Sequence, residues 1–177
     1  MAEQKNQNEH LNVEDALTQS EAFLIKYKNA IIGGVVAVII IVAGIIMYKN
    51  LYAEPREEKA QAALFKGQEY FEQDAFEQAL NGDSIGFAGF LKVADDYSGT
   101  KAANLAKAYA GICYAQLGKY EEAVKMLDDF NGKDQMVAPA VLGAAGSCYA
   151  QLGQLDKAAS TLLSAADKAD NNTLSPI

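Results

Sequence analysis

An octapeptide that occurs twice is the feature that most constrains the fold of this chain. Residues 111–118 read GICYAQLG and residues 146–153 read GSCYAQLG, so seven of eight positions are identical at a spacing of 35 residues. A repeat of this period is typical of a solenoid, in which each unit buries its apolar face only against its neighbours. Such an array usually offers a surface that holds other chains, and it rarely encloses a reaction.

The remainder of this region follows the spacing of helices joined by turns. Apolar residues recur at intervals of three and four, and no stretch alternates with period two for long enough to indicate a strand. The turn and helix-start signals are Pro55, Asn81-Gly82-Asp83, Ser98-Gly99-Thr100, Gly118-Lys119, Asn131-Gly132 and Ala138-Pro139. They predict helices that begin at Pro55 and Ala138 and that include residues 86–95, 105–117 and 120–130. We therefore expect an all-α fold in which residues 49–177 form helical hairpins.

A continuous apolar block precedes the repeats. Residues 30–48 contain neither a charge nor a proline, and a helix of this length is about 28 Å long, close to the hydrocarbon thickness of a bilayer. Lys26 and Lys28 on one side and Tyr48 and Tyr52 on the other suit the two membrane interfaces. We expect a single transmembrane helix. A cleaved signal peptide is the alternative, which the long acidic leader and the lack of a small-x-small cleavage site disfavour.

The leader, residues 1–29, is polar. We expect residues 1–11 to be disordered and Asn12 to cap a short amphipathic helix that lies on the membrane surface. Lys26 and Lys28 precede the apolar block, and Lys49, Arg56 and Lys59 follow it. Because positive charges lie on both sides, the positive-inside rule does not decide the orientation. The leader is short and the repeat domain is large, which favours a cytoplasmic leader and an exported repeat domain. The alternative keeps the repeats in the cytoplasm.

The duplicated unit resembles the tetratricopeptide repeat, whose conserved spacing recurs here in residues 104–137 and 139–172. The matching scaffold residues are Gly111, Tyr114, Gly118, Tyr120, Ala123 and Leu127, and then Gly146, Tyr149, Gly153, Leu155, Ala158 and Leu162. The resemblance implies that the first glycine of each unit meets the alanine where two helices approach closely, and that the tyrosine fills the space between units. The second glycine would end a helix in a left-handed cap. The family's usual tryptophan is absent, and no proline closes either unit.

An irregular unit at residues 56–97 precedes these two. Gly67-x-x-Tyr70 and Phe76-x-x-Ala79 repeat the same twelve-residue step from glycine to alanine, but about nine extra residues lie near residues 81–90. Residues 87–97 resemble the second helix of such a repeat. We expect two clear units and one irregular unit.

In the tetratricopeptide family the first helices line a concave groove that binds protein segments. The positions that match it are Leu64, Gln68, Phe71, Leu105, Ala108, Tyr109, Ile112, Gln116, Ser147 and Gln151. The alternative interpretation is that many of these residues are core. The set lacks the Lys, Asn and Arg side chains with which some members hold a peptide carboxylate. A mixture of apolar and amide side chains suits an extended or helical protein segment instead.

The order of segments along the whole chain is similar to the ancillary subunit of the bacterial Sec translocon. That resemblance implies a single-pass inner-membrane protein, anchored through residues 30–48, whose repeat domain lies in the periplasm. It also implies translocon subunits, a membrane-bound periplasmic chaperone and exported polypeptides as partners. The other functions that the repeats allow are a cytoplasm-facing receptor or scaffold and a structural self-assembly module.

Composition excludes several other classes of function. The net charge is −8 with no Lys/Arg-rich run, so we expect no nucleic-acid partner. The single histidine, His10, lies in the polar leader, and Cys113 and Cys148 occupy equivalent packing positions, with a disulfide as the less favoured alternative. No phosphate loop or nucleophile elbow occurs. We expect no metal, no cofactor, no catalytic residue and no small-molecule substrate.

The last residues suggest that the array continues. Ser175-Pro176 has the form of a helix start, as Ala138-Pro139 does at the previous unit. The second helix of the last unit would otherwise leave Ala158, Leu162, Leu163 and Ala166 uncovered on one side. We expect a further helix or a partner to cover this face.

Overall fold

The structure is a computed structural model that describes the backbone of residues 2–170 and the side chains of residues 25–170. All secondary-structure elements assigned in that part of the chain are helices, as the periodicity predicts. The chain divides into two compact units, the first ending at Asn50 and the second beginning at Leu51. This boundary falls two residues beyond the predicted one. Ser175 and Pro176 lie outside the described residues.

The first unit is one long helix, α1, which runs from Ala2 to Tyr48. The predicted separate helix beginning at Asn12 after a disordered segment is wrong, because α1 continues through both. The leader contains neither glycine nor proline to interrupt a helix and is rich in Ala, Glu, Gln and Lys, which favour one. α1 ends at Tyr48, where the apolar block was predicted to end.

The apolar part of α1 is long and apolar enough to cross a membrane, judged by length and composition. All its described residues, from Ile25 onward, are exposed in the protein. Ile40 and Ile45, for example, are 65% and 62% exposed. A row of exposed isoleucine and valine side chains would be unfavourable in water.

A short π-helical segment, Lys49–Ala53, leads into α2, which spans Glu54–Glu72. Pro55 was predicted to be the first residue of this helix, but it is the second. The position is still compatible with proline, since the first backbone N–H groups of an α-helix have no partner within it.

The second unit continues with six more helices in the described residues. They are α3 (Phe76–Asn81), α4 (Phe90–Asp96), α5 (Lys101–Gln116), α6 (Tyr120–Asp128), α7 (Val137–Gln151) and α8 (Leu155–Ala169). From α4 to α8 each helix packs against the next one in the chain, and α5 also contacts α7. The α2 helix packs against α3, α4 and α5.

The two copies of the octapeptide lie at the ends of α5 and α7 and have the same local geometry. A Cβ atom added at Gly111 would lie 2.5 Å from Leu127 Cγ, and one added at Gly146 would lie 2.7 Å from Leu162 Cγ. Gly118 and Gly153 have φ of 73° and 71°, the left-handed conformation expected of them. The close approach therefore involves the leucine of the second helix more directly than its alanine.

The extra residues of the irregular unit form a loop, 82–89, between two short helices. The predicted helix over residues 86–95 begins only at Phe90, because the preceding residue, Gly89, has φ of 87° and lies outside helical conformation. Gly67 on α2 faces this insertion rather than α3. A Cβ atom at Gly67 would lie 2.3 Å from Phe90 Cε1, so its absence makes room for a fully buried aromatic ring.

Two groups of buried side chains hold the second unit together. The first joins α2, α3, α4 and α5 around Phe90, Leu80 and Val93, each at most 1% exposed. The second joins α5, α6 and α7 through Ala108, Ala123, Leu127, Val141, Ala145 and Cys148. Because most of the second group are small, its helices can approach closely and tolerate little added volume.

Adding one methyl group at Gly111 tests this packing. Gly111→Ala should lower the free energy of unfolding by about 1–3 kcal/mol, because the new Cβ overlaps the branched Leu127 side chain and the helices must separate. Gly143→Ala is the matched control on α7, since its Cβ would meet nothing within 4 Å. There alanine should be neutral or stabilising by about 0.5–1 kcal/mol. Urea denaturation followed by near-ultraviolet circular dichroism measures both, and equal effects would contradict the packing.

Candidate protein-interaction surface

The predicted groove residues fall into three groups. Leu64 and Ala108 are core residues, 5% and 2% exposed, and offer no surface. Leu105 and Ile112 are half-buried against the second group of core side chains. The remaining positions are either joined to an aromatic cluster or exposed. The interpretation that many of these positions are core therefore applies to the first two groups.

Gln68, Phe71 and Tyr109 come together where α2 meets α5. The ring of Tyr109 stacks on Phe90 at a centroid distance of 5.1 Å and meets the edge of Phe71 at 5.2 Å. Gln68 Nε2 donates a hydrogen bond of 2.9 Å to the Tyr109 hydroxyl. All three residues are half-buried, so they join the two helices and still present part of their surface.

Gln116, Ser147 and Gln151 are exposed. The Ser147 hydroxyl donates to the carbonyl of Gly143 at 2.9 Å, a local bond that leaves the side chain at the surface. Gln116 and Gln151 are the last residues of α5 and α7. Of the ten predicted positions, these three are the ones a partner could reach without displacing packed side chains.

The repeat tyrosines connect neighbouring helical pairs. Tyr114 is half-buried and packs against both groups of core side chains. Tyr149, on α7, donates a hydrogen bond to the carboxylate of Asp128 on α6. That hydrogen bond, assisted by partial burial, raises the pKa of Tyr149 to about 12. Asp128 is exposed, and its carboxylate nevertheless joins two helices.

A hydrogen-bonded loop follows α3, at the position where Asn81-Gly82-Asp83 predicts a turn. Asp83 Oδ1 accepts the backbone N–H groups of Ile85, Gly86 and Phe87 at 2.7, 2.7 and 2.9 Å. The Tyr70 hydroxyl donates to Asp83 Oδ2 at 2.5 Å. The Tyr70 hydrogen bond, followed by those from the backbone, lowers the pKa of Asp83 to about 2.

The same loop places one large apolar side chain in solvent. Phe87 is buried and stacks near Tyr70, with 5.8 Å between ring centroids. Ile85, two residues earlier, is 88% exposed. The Asp83 clamp fixes the backbone between them, so Ile85 is presented by an ordered turn.

A second set of hydrogen bonds ties α2 to the start of α5. Glu57 accepts the N–H groups of Lys101 and Ala102 at 2.7 and 2.9 Å. The Thr100 hydroxyl accepts the next N–H, that of Ala103, at 3.0 Å. Three first-turn donors of α5 are therefore already used, which leaves this helix end little capacity to bind an external anion. Arg56 reinforces the contact by donating to the carbonyl of Asp96 at 2.9 Å.

The chemical groups of the second unit are arranged for packing. Both cysteines are free and buried, which supports their interpretation as packing residues. Burial raises the pKa of the Cys113 thiol to about 12 and also raises that of Cys148, so neither is an activated nucleophile. Among the described side chains, no three His, Cys, Asp or Glu residues cluster in a way that could hold a metal ion.

Comparison of this chain with protein-family models, with curated proteins and with solved structures found no match. The tetratricopeptide resemblance therefore still depends on the spaced residues themselves and stays a prediction. What the structure adds is that all elements of the described residues are helices and that one long apolar helix lies near the N-terminus.

The Asp83 clamp predicts a pH dependence of stability. Asp83 stays ionised in the fold down to pH about 2, whereas in the unfolded chain it takes up a proton near pH 3.9, about its ordinary pKa. Its contribution is therefore complete above pH about 4 and is lost as the pH falls towards 2. Asp83→Asn should lower the melting temperature at neutral pH, and the difference from the wild type should shrink through this window.

Thermal melts of both proteins between neutral pH and pH about 2 measure this effect. Asp95→Asn, at an exposed aspartate on α4, provides the control and should leave the difference small at every pH. A melting-temperature difference for Asp83→Asn that stays constant across the window would contradict the clamp.

Proposed function

We propose that this chain is a membrane-anchored adaptor that binds other proteins through its second unit and assists protein export or the folding of envelope proteins. In this proposal residues 30–48 span the bacterial inner membrane, and the helical pairs form a tetratricopeptide-like array in the periplasm. Its partners would be translocon subunits, a membrane-bound periplasmic chaperone and exported polypeptides.

The observation that carries the proposal is the exposed apolar helix in α1. Its isoleucine and valine side chains from Ile31 to Ile46 are between 39% and 65% exposed. A bilayer removes this surface from water at about 25 cal/mol for each Å² buried, so a membrane is its favourable environment. The chain can thus hold its second unit at a membrane surface without a covalent lipid.

The second unit favours a binding role over a catalytic one. Its two cysteines are protonated packing residues, and its notable carboxylates, Glu57 and Asp83, are occupied by backbone N–H groups. What it offers to a partner is surface: the exposed side chains of Gln116, Ser147 and Gln151, and the exposed parts of the half-buried Tyr109 and Phe71. Amide and apolar side chains of this kind bind a protein segment by modest burial and a few hydrogen bonds.

The orientation can be tested by protease protection in bacterial cells that express the full chain. Added protease should remove the second unit from intact spheroplasts, because a periplasmic domain is accessible once the outer membrane is opened. A tag on the leader should survive until the inner membrane is lysed, and a cytoplasmic marker protein gives the control. Protection of the second unit in intact spheroplasts would favour the cytoplasm-facing receptor or scaffold.

Partners can be identified by photocrosslinking from defined positions in the same cells. A photoreactive residue in place of Val38 in the apolar helix, or of Gln116 on α5, should yield adducts with translocon or chaperone subunits. The matched control is Glu121 on α6, an exposed residue outside the predicted groove. Recovery of neither class of subunit from Val38 and Gln116, or equal recovery from Glu121, would contradict the export role.

A further inference from the structure

The outer side of α7 and α8 carries a set of residues over which no further described helix packs. We call this set the terminal face, and its members are Ala140, Gly143 and Ser147 on α7 and Leu155, Ala159 and Leu162 on α8. Leu155 is 69% exposed and Leu162 is 43% exposed. Leu163, beside them on α8, is 67% exposed. For a helix in water this is a large uncovered apolar surface.

The chain itself shows what packs on such a face. Thirty-five residues earlier, the equivalent positions are Leu105, Ala108 and Ile112 on α5 and Tyr120, Val124 and Leu127 on α6. Ala108 and Leu127 belong to the buried group that joins α5, α6 and α7, and the other four are partly buried against it. Leu127 is 3% exposed there, whereas its equivalent Leu162 is 43% exposed. Within the described residues, the terminal face is therefore the equivalent surface with no helix packed over it.

The differences between the two faces indicate the shape of a helix that could pack on the terminal face. On α5 the residues beneath α7 are Leu105, Ala108 and Ile112, but on α7 their equivalents are Ala140, Gly143 and Ser147. The smaller side chains leave more space above α7. The covering helix therefore needs bulkier apolar residues than the Val141, Ala145 and Cys148 with which α7 covers the earlier face.

Charge defines the edge of the same surface. Asp156 and Asp167 fall on one stripe of α8 at helical spacing, next to the stripe of Leu155, Ala159 and Leu162, and Asp170 directly follows the helix. All three aspartates are exposed. In an antiparallel two-fold pair of α8 helices, each edge meets the same edge of the other molecule, so the two acidic stripes would repel. The edge is complementary to lysine or arginine instead.

We propose that the terminal face binds an amphipathic helix of another protein, with bulky apolar residues at helical spacing and lysine or arginine along one edge. This helix takes the place on α7 and α8 that α7 takes on α5 and α6. The proposal names a partner class for the adaptor and rests on the proposed function for the setting in which binding occurs. Its binding surface is separate from the predicted groove residues, apart from Ser147.

The test is photocrosslinking of the full chain in its membrane, with a photoreactive residue in place of Ala159. Lys157, on the same helix, is exposed, lies about 160° away from Ala159 around the helix and serves as the control. Adducts should form from position 159 and should be weak from position 157. The crosslinked partner peptide, sequenced by mass spectrometry, should come from another protein and carry both apolar residues and Lys or Arg at helical spacing.

Charge reversal gives the second arm. Asp156→Lys combined with Asp167→Lys should reduce the adduct from position 159 by about tenfold, because the basic edge of the partner is then repelled. Glu77→Lys combined with Glu121→Lys makes the same change of charge at exposed sites elsewhere and should reduce it by less than about twofold. All substituted side chains are exposed, so folding should be preserved, which circular dichroism can verify.

Several results would overturn this proposal. They are an adduct with a second molecule of this chain, an adduct with another segment of the same polypeptide, a partner peptide without basic residues, and no adduct from position 159. A loss of adduct that is equal in the two charge-reversed proteins would also overturn it. The proposed function is tested separately, because protease protection and crosslinking from Val38 and Gln116 do not involve the terminal face.

Discussion

The close approach of helices at small residues is the constraint on which the second unit depends. Gly111 and Gly146 leave no room for a Cβ atom against Leu127 and Leu162, and the surrounding core is made largely of alanine. Small residues bury little apolar area each, so stability has to come from close contact along the whole length of neighbouring helices. The close approach also explains why the octapeptide is duplicated, since the helices of each pair need a small residue at the same contact.

Polar side chains connect parts of this unit that are not joined by the close packing of small residues. Glu57 and Arg56 join the start of α2 to the beginning of α5, and Asp83 organises the loop that interrupts the irregular pair. In these contacts a charged side chain forms hydrogen bonds with backbone N–H or C=O groups. Such hydrogen bonds are stronger than those between neutral groups. They leave the surface near Gln116, Gln151 and the terminal face free of such structural roles, and that is where binding is proposed.

The sequence predicted the regular part of the fold because its signals are local. The left-handed Gly118 and Gly153 end α5 and α7 close to where the turns were expected, and Thr100 starts α5 after a recognisable break. The prediction failed at Asn12, where no local signal interrupts α1, and over residues 86–89, where a loop replaces the start of a helix.

The candidate site could be predicted only in part. Leu64 and Ala108 lie on the face of their helices that meets other helices, which periodicity alone cannot distinguish from a groove. Asp83 contacts Tyr70, 13 positions away, and Glu57 contacts Lys101, 44 positions away. No rule of sequence spacing predicts contacts at these separations. The Asp83-x-x-Gly86 turn was the one available signal, since aspartate often accepts from the backbone a few residues onward. The sequence predicted an uncovered side of α8 at Leu162 and Leu163, which are exposed, but it wrongly included Ala158, which is 4% exposed, and it did not predict the part of the terminal face on α7.

The central claim is that one chain combines a helix held in a bilayer with a separately folded helical array. Hydrogen–deuterium exchange of the full protein in lipid nanodiscs tests it most directly, because it reports protection along the whole backbone. Amides of residues 30–48 and of α5, α6 and α7 should exchange slowest, and α8 should exchange faster than α6 because its outer side is uncovered. Rapid exchange throughout residues 30–48 would contradict the membrane helix, and uniform exchange across residues 101–169 at the rate of an unfolded chain would contradict the array.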